Sequence, residues 1–259
     1  MDTAVYLPLL QLGTMEIEGL LPWSSNYSFL ARICPNEAVN RAIGREEANR
    51  LGDVQVVYKP RRGERPLWDF PQGTLYQRER AAFVMSEALG WNLVPPTIVR
   101  NAEHGIGSVQ LFIDHDPECH YLTFEGEPAF ARPLQQITLF DVLINNADRK
   151  AGHVLVAEQT NPDIDGRLWI IDHGICFHSE YKLRTVIWEF AGLPIPAALL
   201  ADLQQLLKNL TAKTELHHEL EKLLSRREFV ALKKRTQQIF QSGKHIVPGP
   251  GRHYPWPPV

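Results

Sequence analysis

Cysteine is scarce in this sequence. The positive and negative charges of the chain nearly balance. The chain has only three cysteines, Cys34, Cys119 and Cys176, and no two of them form a CxxC pair. That scatter argues against a disulfide scaffold and predicts a reducing compartment. The formal net charge is −3 at pH 7, whereas a protein that binds nucleic acid by neutralising phosphates is usually basic. We therefore expect no nucleic-acid partner.

Long apolar runs are missing as well. No uninterrupted apolar segment approaches the roughly 18 residues that a membrane span needs, and no basic segment followed by an apolar run marks a signal peptide. We expect a cytoplasmic protein without a membrane span. The composition is otherwise ordinary for a globular protein: 259 residues, 44% of them hydrophobic and 22% charged. That length suits one large domain or two lobes.

The first part of the chain reads as short strands separated by turns, together with one clear helix. The helix is predicted over Thr74–Leu89, where Leu75, Phe83 and Leu89 recur at helical spacing before Gly90. Apolar runs bounded by turn residues predict strands over residues 15–20, 27–33, 54–59, 97–100 and 108–114.

Glu79 is the one carboxylate on the apolar face of this helix. An unpaired carboxylate on a packing face is costly, so it needs a cationic partner. Lys59, at the end of the strand over residues 54–59, is the candidate. The alternative is that Glu79 reaches solvent at the edge of the face.

Two carboxylates flank a pair of strand patterns later in the chain. Asp148 precedes Val154–Val156, and Asp172 follows Leu168–Ile171, with a turn-rich segment between the two runs. A hairpin would bring both carboxylates to the same end of the strand pair. Two ionised carboxylates in a cleft need a cation or a shared proton, and Mg²⁺ carrying phosphate oxygens is one solution. The alternative is that each carboxylate only bonds its own turn.

These two segments resemble a known family. Asp-Arg-Lys-Ala-Gly-His at 148–153 is similar to the Asp-Arg-His-x-x-Asn catalytic loop of phosphatidylinositol 3- and 4-kinases and their bacterial relatives, with HipA-type kinases more distant. Ile-Asp-His-Gly at 171–174 resembles the metal-binding Ile-Asp-Phe-Gly segment. The resemblance implies an α+β, protein-kinase-like fold of two lobes. The N-lobe, residues 1–114, would hold an antiparallel β-sheet with one main helix, and the C-lobe, residues 115–242, would be mostly helical.

The resemblance also implies a nucleotide site for ATP with Mg²⁺. Asp148 would be catalytic, Asp172 would bind the metal, and Lys59, held by Glu79, would grip the phosphates. A loop at Ser24, Ser25 and Asn26 would cover the phosphates, unless it is a plain β-turn. The adenine would contact apolar side chains and the hinge, namely Val57, Leu155, Ile171, Gln110, Leu111, Phe112 and Ile113.

Two positions depart from the family pattern. His153 stands where the family has asparagine, and an imidazole ligand suits Mn²⁺ better than it suits Mg²⁺. His153 is therefore either a metal ligand or a structural residue at the start of the strand. Lys150 replaces the histidine after the arginine and can stabilise charge on the transferred phosphoryl group.

The remainder of the chain adds no chemistry of its own. Helical patterns are expected over Pro133–Asn145 and from Leu183 to Gln241, with breaks near Gly192–Pro196 and around Leu210 and Leu224. The proline-rich segment 243–259 is expected to be irregular and mobile.

These features together predict an ATP-dependent phosphotransferase, a kinase that transfers a phosphoryl group to a hydroxyl of a protein or a small molecule. ATP and this unidentified acceptor are the expected partners. The alternatives are a nucleotide-binding pseudokinase with a regulatory role and a transferase that moves AMP on the same fold.

Overall fold

A computed structural model describes residues 2–22, 26–157 and 167–259. The described residues form nine α-helices and seven strands. The helices are α1 Thr3–Leu12, α2 Glu37–Ile43, α3 Arg45–Leu51, α4 Leu75–Ala88, α5 Tyr121–Phe124, α6 Ala131–Ile144, α7 Ala197–Thr211, α8 Glu215–Leu223 and α9 Arg226–Ser242. The strands are β1 Thr14–Leu20, β2 Phe29–Cys34, β3 Val54–Pro60, β4 Thr97–Ala102, β5 Gly105–Leu111, β6 Val154–Val156 and β7 Leu168–Ile170.

A five-stranded antiparallel sheet forms the first half of the molecule, in the order β1-β2-β3-β5-β4. Buried residues alternate with less buried ones along β3, and Val56, Tyr58 and Val109 pack with Leu9 and Leu10 of α1 in one core cluster. Pro60, the last residue of β3, lies opposite Gly107 of β5. A Cβ at position 107 would come within 2.4 Å of the Lys59 carbonyl oxygen, so only glycine permits this approach.

Helix α4 packs on the sheet and carries the predicted carboxylate inward. It ends at Ala88, and Gly90 follows with φ of 67°, as the sequence predicted. Arg78 and Glu79 are both almost fully buried. Arg78 donates to the Cys176 carbonyl at 2.6 Å and pairs with Glu228 of α9 at 2.5 Å. This buried pair joins α4 to the helical half of the molecule.

The second half is mostly helical and holds the predicted hairpin. Strands β6 and β7 pair antiparallel, with Val154 opposite Ile170. The prediction of helix from Leu183 was wrong as far as Pro196, because α7 begins only at Ala197. The backbone near Leu183 instead bonds the loop that follows α6. The Val186 N–H donates to the Arg149 carbonyl, and the Arg149 N–H donates to the Arg184 carbonyl. Hydrogen bonds to a distant loop thus replace those of a helix.

The segment 243–259 contains no helix or strand, and backbone hydrogen bonds attach it to the helical half at several points. Ile195 donates to the Gly243 carbonyl, Thr185 donates to the His253 carbonyl at 3.1 Å, and Ala151 donates to the Pro258 carbonyl at 2.8 Å. The segment therefore runs along this half of the molecule as far as the loop that bears Asp148. Among the described residues, no helix has the length and apolar character needed to cross a membrane.

We predict that Arg78→Met destabilises the protein strongly, because it leaves the Glu228 carboxylate buried without its partner. Breaking a buried ion pair on one side costs about 3–5 kcal/mol. Urea unfolding followed by circular dichroism measures the change. Adding Glu228→Gln, which keeps the hydrogen bond of Glu228 to Ser225 at the start of α9, should recover part of the loss. Arg132→Met, on the exposed surface of α6, is the matched control. A loss equal to that of the control would contradict the role assigned to the pair.

Candidate active site

A cleft of about 680 Å³ lies between the sheet and the β6–β7 hairpin. Every predicted site residue that the structure describes lines this one cleft: Asn26, Val57, Lys59, Glu79, Gln110, Leu111, Phe112, Ile113, Asp148, Lys150, His153, Leu155, Ile171 and Asp172. Ser24 and Ser25 lie outside the described residues. Residues more than a hundred positions apart in the chain are thus brought together.

Lys59 links three elements at the centre of the cleft. Its Nζ donates to Glu79 Oε1 at 2.5 Å and to Asp172 Oδ1 at 3.0 Å. Burial lowers the pKa of Lys59, but the charges of Asp172 and Glu79 outweigh it and make the net shift upward. The Lys59 charge in turn holds the pKa of Asp172 well below its ordinary value. Near neutral pH Lys59 and Asp172 are therefore both charged.

Glu79 also fixes the segment that follows β7. Its Oε2 accepts a hydrogen bond from the backbone N–H of His173 at 3.0 Å. Asp172 has φ of 61°, in the left-handed region that few residues other than glycine adopt. Such a conformation persists where surrounding contacts hold it. Here Lys59 bonds the Asp172 side chain, and Glu79 bonds the backbone N–H of the next residue. The Asp172 side chain stays 47% exposed, so the carboxylate faces the cleft.

Arg149 organises the loop that carries Asp148. It is fully buried and bonds both carboxylate oxygens of Asp141 at 3.0–3.2 Å. It also donates to the Ile171 carbonyl at 2.9 Å and lies 2.8 Å from His173 Nε2. A guanidinium can only donate, so this nitrogen of the His173 imidazole accepts. One arginine therefore fixes the Asp148 loop and the Asp172 segment relative to each other.

Asp148 points into the cleft from this loop. Its backbone N–H donates to Asn146 Oδ1 at 3.0 Å, and its Oδ2 lies 3.9 Å from Lys150 Nζ. Burial raises the pKa of Asp148 to about 6, with Asp172 adding to the shift and Lys150 opposing it. A carboxylate with a pKa near neutrality suits a group that accepts a proton from a hydroxyl.

The arrangement of His153 and Asp172 fits a divalent metal ion. Burial lowers the pKa of His153 to about 4, so the imidazole is neutral near pH 7. Its Nδ1 lies 3.0 Å from the Asp148 carbonyl, which can only accept, so Nδ1 carries the hydrogen. The Lys150 N–H, 3.5 Å from Nδ1, would require the other tautomer and is the weaker contact.

Nε2 of His153 then bears a lone pair and faces Asp172 Oδ2 at 3.5 Å. Two electron-donating atoms that face each other across an open cleft favour a cation between them. Within residues 2–22, 26–157 and 167–259, no group of three or more His, Cys, Asp or Glu side chains forms a metal site by itself. A metal held here would need further ligands from outside the protein, as oxygens of a phosphate provide.

Several polar groups at the edges of the cleft already have hydrogen-bond partners within the protein. Asn26 Oδ1 accepts a hydrogen bond from the Arg65 N–H at 2.8 Å, which ties the turn after β1 to the loop after β3. In the predicted hinge, Leu111 N–H donates to the Pro96 carbonyl and Phe112 N–H donates to the Gln55 carbonyl, both at 2.9 Å. The Gln110 side chain donates to Thr97 at 2.8 Å. Few hinge donors therefore remain for a ligand.

The cleft residues that come from the C-terminal segment were not predictable from the sequence. Trp256 and Pro257 line the same cleft as Asp148, and the Trp256 side chain is exposed. Their position depends on the hydrogen bond from Ala151 to Pro258. The Tyr-Pro-Trp-Pro-Pro run at 254–258 marked only an irregular segment, because no local pattern indicates a contact with a loop a hundred residues away. The missed lining residues also include Tyr27, Glu64 and Tyr76.

Comparison with known proteins places this cleft in a family context. The family model for phosphatidylinositol 3- and 4-kinase matches residues 73–232. The chain is 35% identical to protein Rv2133c of Mycobacterium tuberculosis, over 95% of this chain and 92% of that protein. It is 31% identical to phosphatidylinositol 4-kinase gamma 4 of Oryza sativa subsp. japonica, over 43% of this chain and 22% of that one.

The fold has solved counterparts. The structure of the Golgi casein kinase with Mn and ADP bound matches 99% of this chain and 80% of that chain, with a TM-score of 0.60 and 16% sequence identity. At that level of identity the likeness concerns the fold alone. The two-lobed arrangement of an antiparallel sheet and a mostly helical half is a protein-kinase-like fold, as the sequence predicted.

We predict that the Asp148 carboxyl carbon titrates with a midpoint of about 6 in ¹³C NMR of the metal-free protein, instead of near the ordinary value of 3.8. Asp148→Asn should remove the resonance and so identify it. Lys150→Ala should move the midpoint higher, because it removes a cation that opposes the shift.

The raised pKa of Asp148 also makes the stability of the folded protein depend on pH. A carboxyl whose pKa is raised on folding contributes stability at low pH that is lost as the pH rises from 3.8 through 6. Asp148→Asn should flatten that part of the stability profile. A midpoint close to 3.8 would contradict the burial of Asp148.

Proposed function

Because the chain belongs to the phosphatidylinositol 3- and 4-kinase family, we propose that it is an ATP-dependent phosphotransferase that moves the γ-phosphoryl group to a hydroxyl of a protein or small molecule. One observation carries the proposal. Lys59 contacts Glu79 and Asp172 together, at 2.5 Å and 3.0 Å, in the cleft that Asp148 also lines. Phosphoryl transfer depends on positioning and charge neutralisation, and this cleft provides charged groups of both signs on rigid elements.

The nucleotide would lie with its base toward the hinge. Val57 of the sheet, Leu155 of the hairpin and Ile171 after it all line the cleft, and these apolar side chains would contact the adenine. The N–H groups of Leu111 and Phe112 are engaged, so the hinge contacts would come from the Phe112 carbonyl and from Ile113. The Lys59 ammonium would bind the phosphates, and Asn26, which lines the cleft, would lie on the side that covers them.

Asp172 and His153 are the residues that would hold a divalent ion, Mg²⁺ or Mn²⁺. When bound, the ion supplies charge neutralisation for the triphosphate. The Golgi casein kinase, which shares this fold, has Mn and ADP bound in its structure, and this supports a nucleotide and a divalent ion as the ligands here. The neutral imidazole of His153 supports the inclusion of Mn²⁺.

In the transfer itself, Asp148 would take the proton of the acceptor hydroxyl. The acceptor oxygen then forms its bond to the γ-phosphorus while the bond from that phosphorus to the β,γ-bridging oxygen breaks, and ADP leaves with the bond's electron pair. Lys150, next to Asp148, would stabilise charge on the oxygens of the transferred group. Arg149 has no direct part in this step and acts by positioning Asp148 and Asp172.

We predict that the protein transfers label from γ-labelled ATP and not from α-labelled ATP, and that Asp148→Asn and Asp172→Asn each reduce the rate by about a hundredfold or more. The physical reason is the loss of the proton acceptor in one variant and of the metal ligand in the other. Label transfer resolved by gel electrophoresis and thin-layer chromatography measures the rate. Asp114→Asn, exposed and outside the cleft lining, is the matched control.

Two outcomes would contradict this proposal and support a different function. Thermal stabilisation by nucleotide without turnover would indicate a pseudokinase. Transfer from α-labelled ATP alone would indicate an AMP transferase.

We predict that His153→Asn shifts the metal preference from Mn²⁺ toward Mg²⁺, with the ratio of the two rates changing about tenfold, because an amide oxygen replaces the imidazole nitrogen. Mn²⁺ binding followed by electron paramagnetic resonance gives a readout that does not need turnover, and it should weaken in the variant. His218→Asn, on the exposed side of α8, serves as the control. Unchanged Mn²⁺ affinity would show that His153 is structural.

A further inference from the structure

A second cavity, of about 520 Å³, adjoins the cleft and belongs to no step of the proposed reaction. It is formed by the loop between β3 and α4 together with the turn between β4 and β5. Glu64 and Leu75 line both this cavity and the cleft. Three arginines line its wall: Arg61, Arg62 and Arg65.

The charge of this cavity is unbalanced. Among the described residues, none of the ion pairs involves Arg61, Arg62 or Arg65. Within the described part of the chain, Glu64 is the one carboxylate in the lining, and its Oε1 already accepts a hydrogen bond from the Tyr76 N–H at 2.9 Å. The whole chain has a net charge of −3, so this is a local concentration of positive charge on an acidic protein. Gathering like charges is unfavourable unless an anion joins them.

Two of the arginines lie close to glycines around the cavity, and the main chain of the third is bonded to a neighbouring turn. Arg61 lies against Gly73, where a Cβ would come within 2.4 Å of its Nε, and the φ of 71° at Gly73 also favours glycine. Arg62 Nε lies 4.0 Å from the position that a Cβ on Gly105 would take. The Arg65 N–H is bonded to Asn26. All three arginines remain exposed, so their guanidinium groups are accessible to a ligand at this one cavity.

The chemistry of the lining indicates the kind of ligand. Guanidinium groups bind phosphate oxygens through paired hydrogen bonds, and clusters of arginines are a common way to recognise phosphorylated peptides. Leu67 lines the cavity, and the next residue, Trp68, is 92% exposed, so apolar side chains lie next to the charged ones. A phosphorylated residue within a peptide offers both a dianion and neighbouring side chains. A nucleic-acid backbone would require a longer row of cations than this single cavity provides.

We propose that this cavity binds a protein segment that carries a phosphoserine or phosphothreonine. The binding requires no catalysis and goes beyond the proposed phosphotransfer. Because the cavity adjoins the cleft through Glu64 and Leu75, the bound segment lies beside the phosphotransfer site.

Fluorescence anisotropy of the full chain with a labelled peptide tests this. The peptide has one phosphoserine flanked by leucine and alanine, and its unphosphorylated twin is measured alongside. We expect the phosphopeptide to bind at least about tenfold more tightly than its twin, with an affinity that falls as salt rises. Arg62→Gln combined with Arg65→Gln should remove about tenfold or more of the phosphopeptide affinity, while Arg132→Gln on α6 should leave it unchanged.

Several results would overturn the proposal. One is equal affinity for the two peptides, and another is an unchanged affinity in the double variant. Competition by ATP would place the peptide in the nucleotide cleft. Complete competition by equimolar inorganic phosphate would identify a free-phosphate site, and tighter binding to anionic lipid vesicles than to the phosphopeptide would identify a membrane contact. Because the assay measures binding alone, a protein without phosphotransfer activity still gives a decisive result.

Discussion

The contact of the Lys59 ammonium with two carboxylates is the interaction on which the rest of the site depends. Lys59 lies on β3, Glu79 on α4 and Asp172 after β7. Each carboxylate alone would be costly to bring into the cleft, and the ammonium offsets both. The shared cation therefore sets the distance between the sheet, the helix and the hairpin. Small displacements of any of these elements would break at least one of the two contacts.

A second, fully buried cation repeats this arrangement on the other side of the cleft. Arg149 bonds the Asp141 carboxylate in α6 and the Ile171 carbonyl just before Asp172. The two networks meet at His173, whose backbone N–H donates to Glu79 and whose ring contacts Arg149. Asp172 thus belongs to a segment fixed from both lobes. This explains how its left-handed backbone is tolerated without glycine.

The parts of the site that could be predicted from the sequence are those whose signals lie within a short stretch of the chain. The strand pattern ending at Lys59, the helical face with Glu79 and the hairpin between the two aspartates each lie within a short window, and each was predictable. Three features depend on distant partners and left no local trace. Arg149 bonds Ile171 and contacts His173, both more than twenty positions away. The stretch after Leu183 had a helical pattern, yet its backbone bonds the Asp148 loop, and the proline-rich C-terminal segment reaches the cleft through single hydrogen bonds. Non-local backbone pairing of this kind overrides local propensity.

The charges that line the cleft also restrict what it can bind. Among the residues that the structure describes, its lining includes four carboxylates, Glu64, Glu79, Asp148 and Asp172, and two ammonium groups, Lys59 and Lys150. Lys59 is already shared between two of the carboxylates, so little positive charge remains for a triphosphate. At an effective dielectric constant near 20, two unit charges of like sign 4 Å apart repel by about 4 kcal/mol. On the proposed function, a polyphosphate would therefore enter together with cations. The outward-facing oxygen of Asp172 and the lone pair of His153 would be the atoms to receive one, and nucleotide and metal binding would then be interdependent in this cleft.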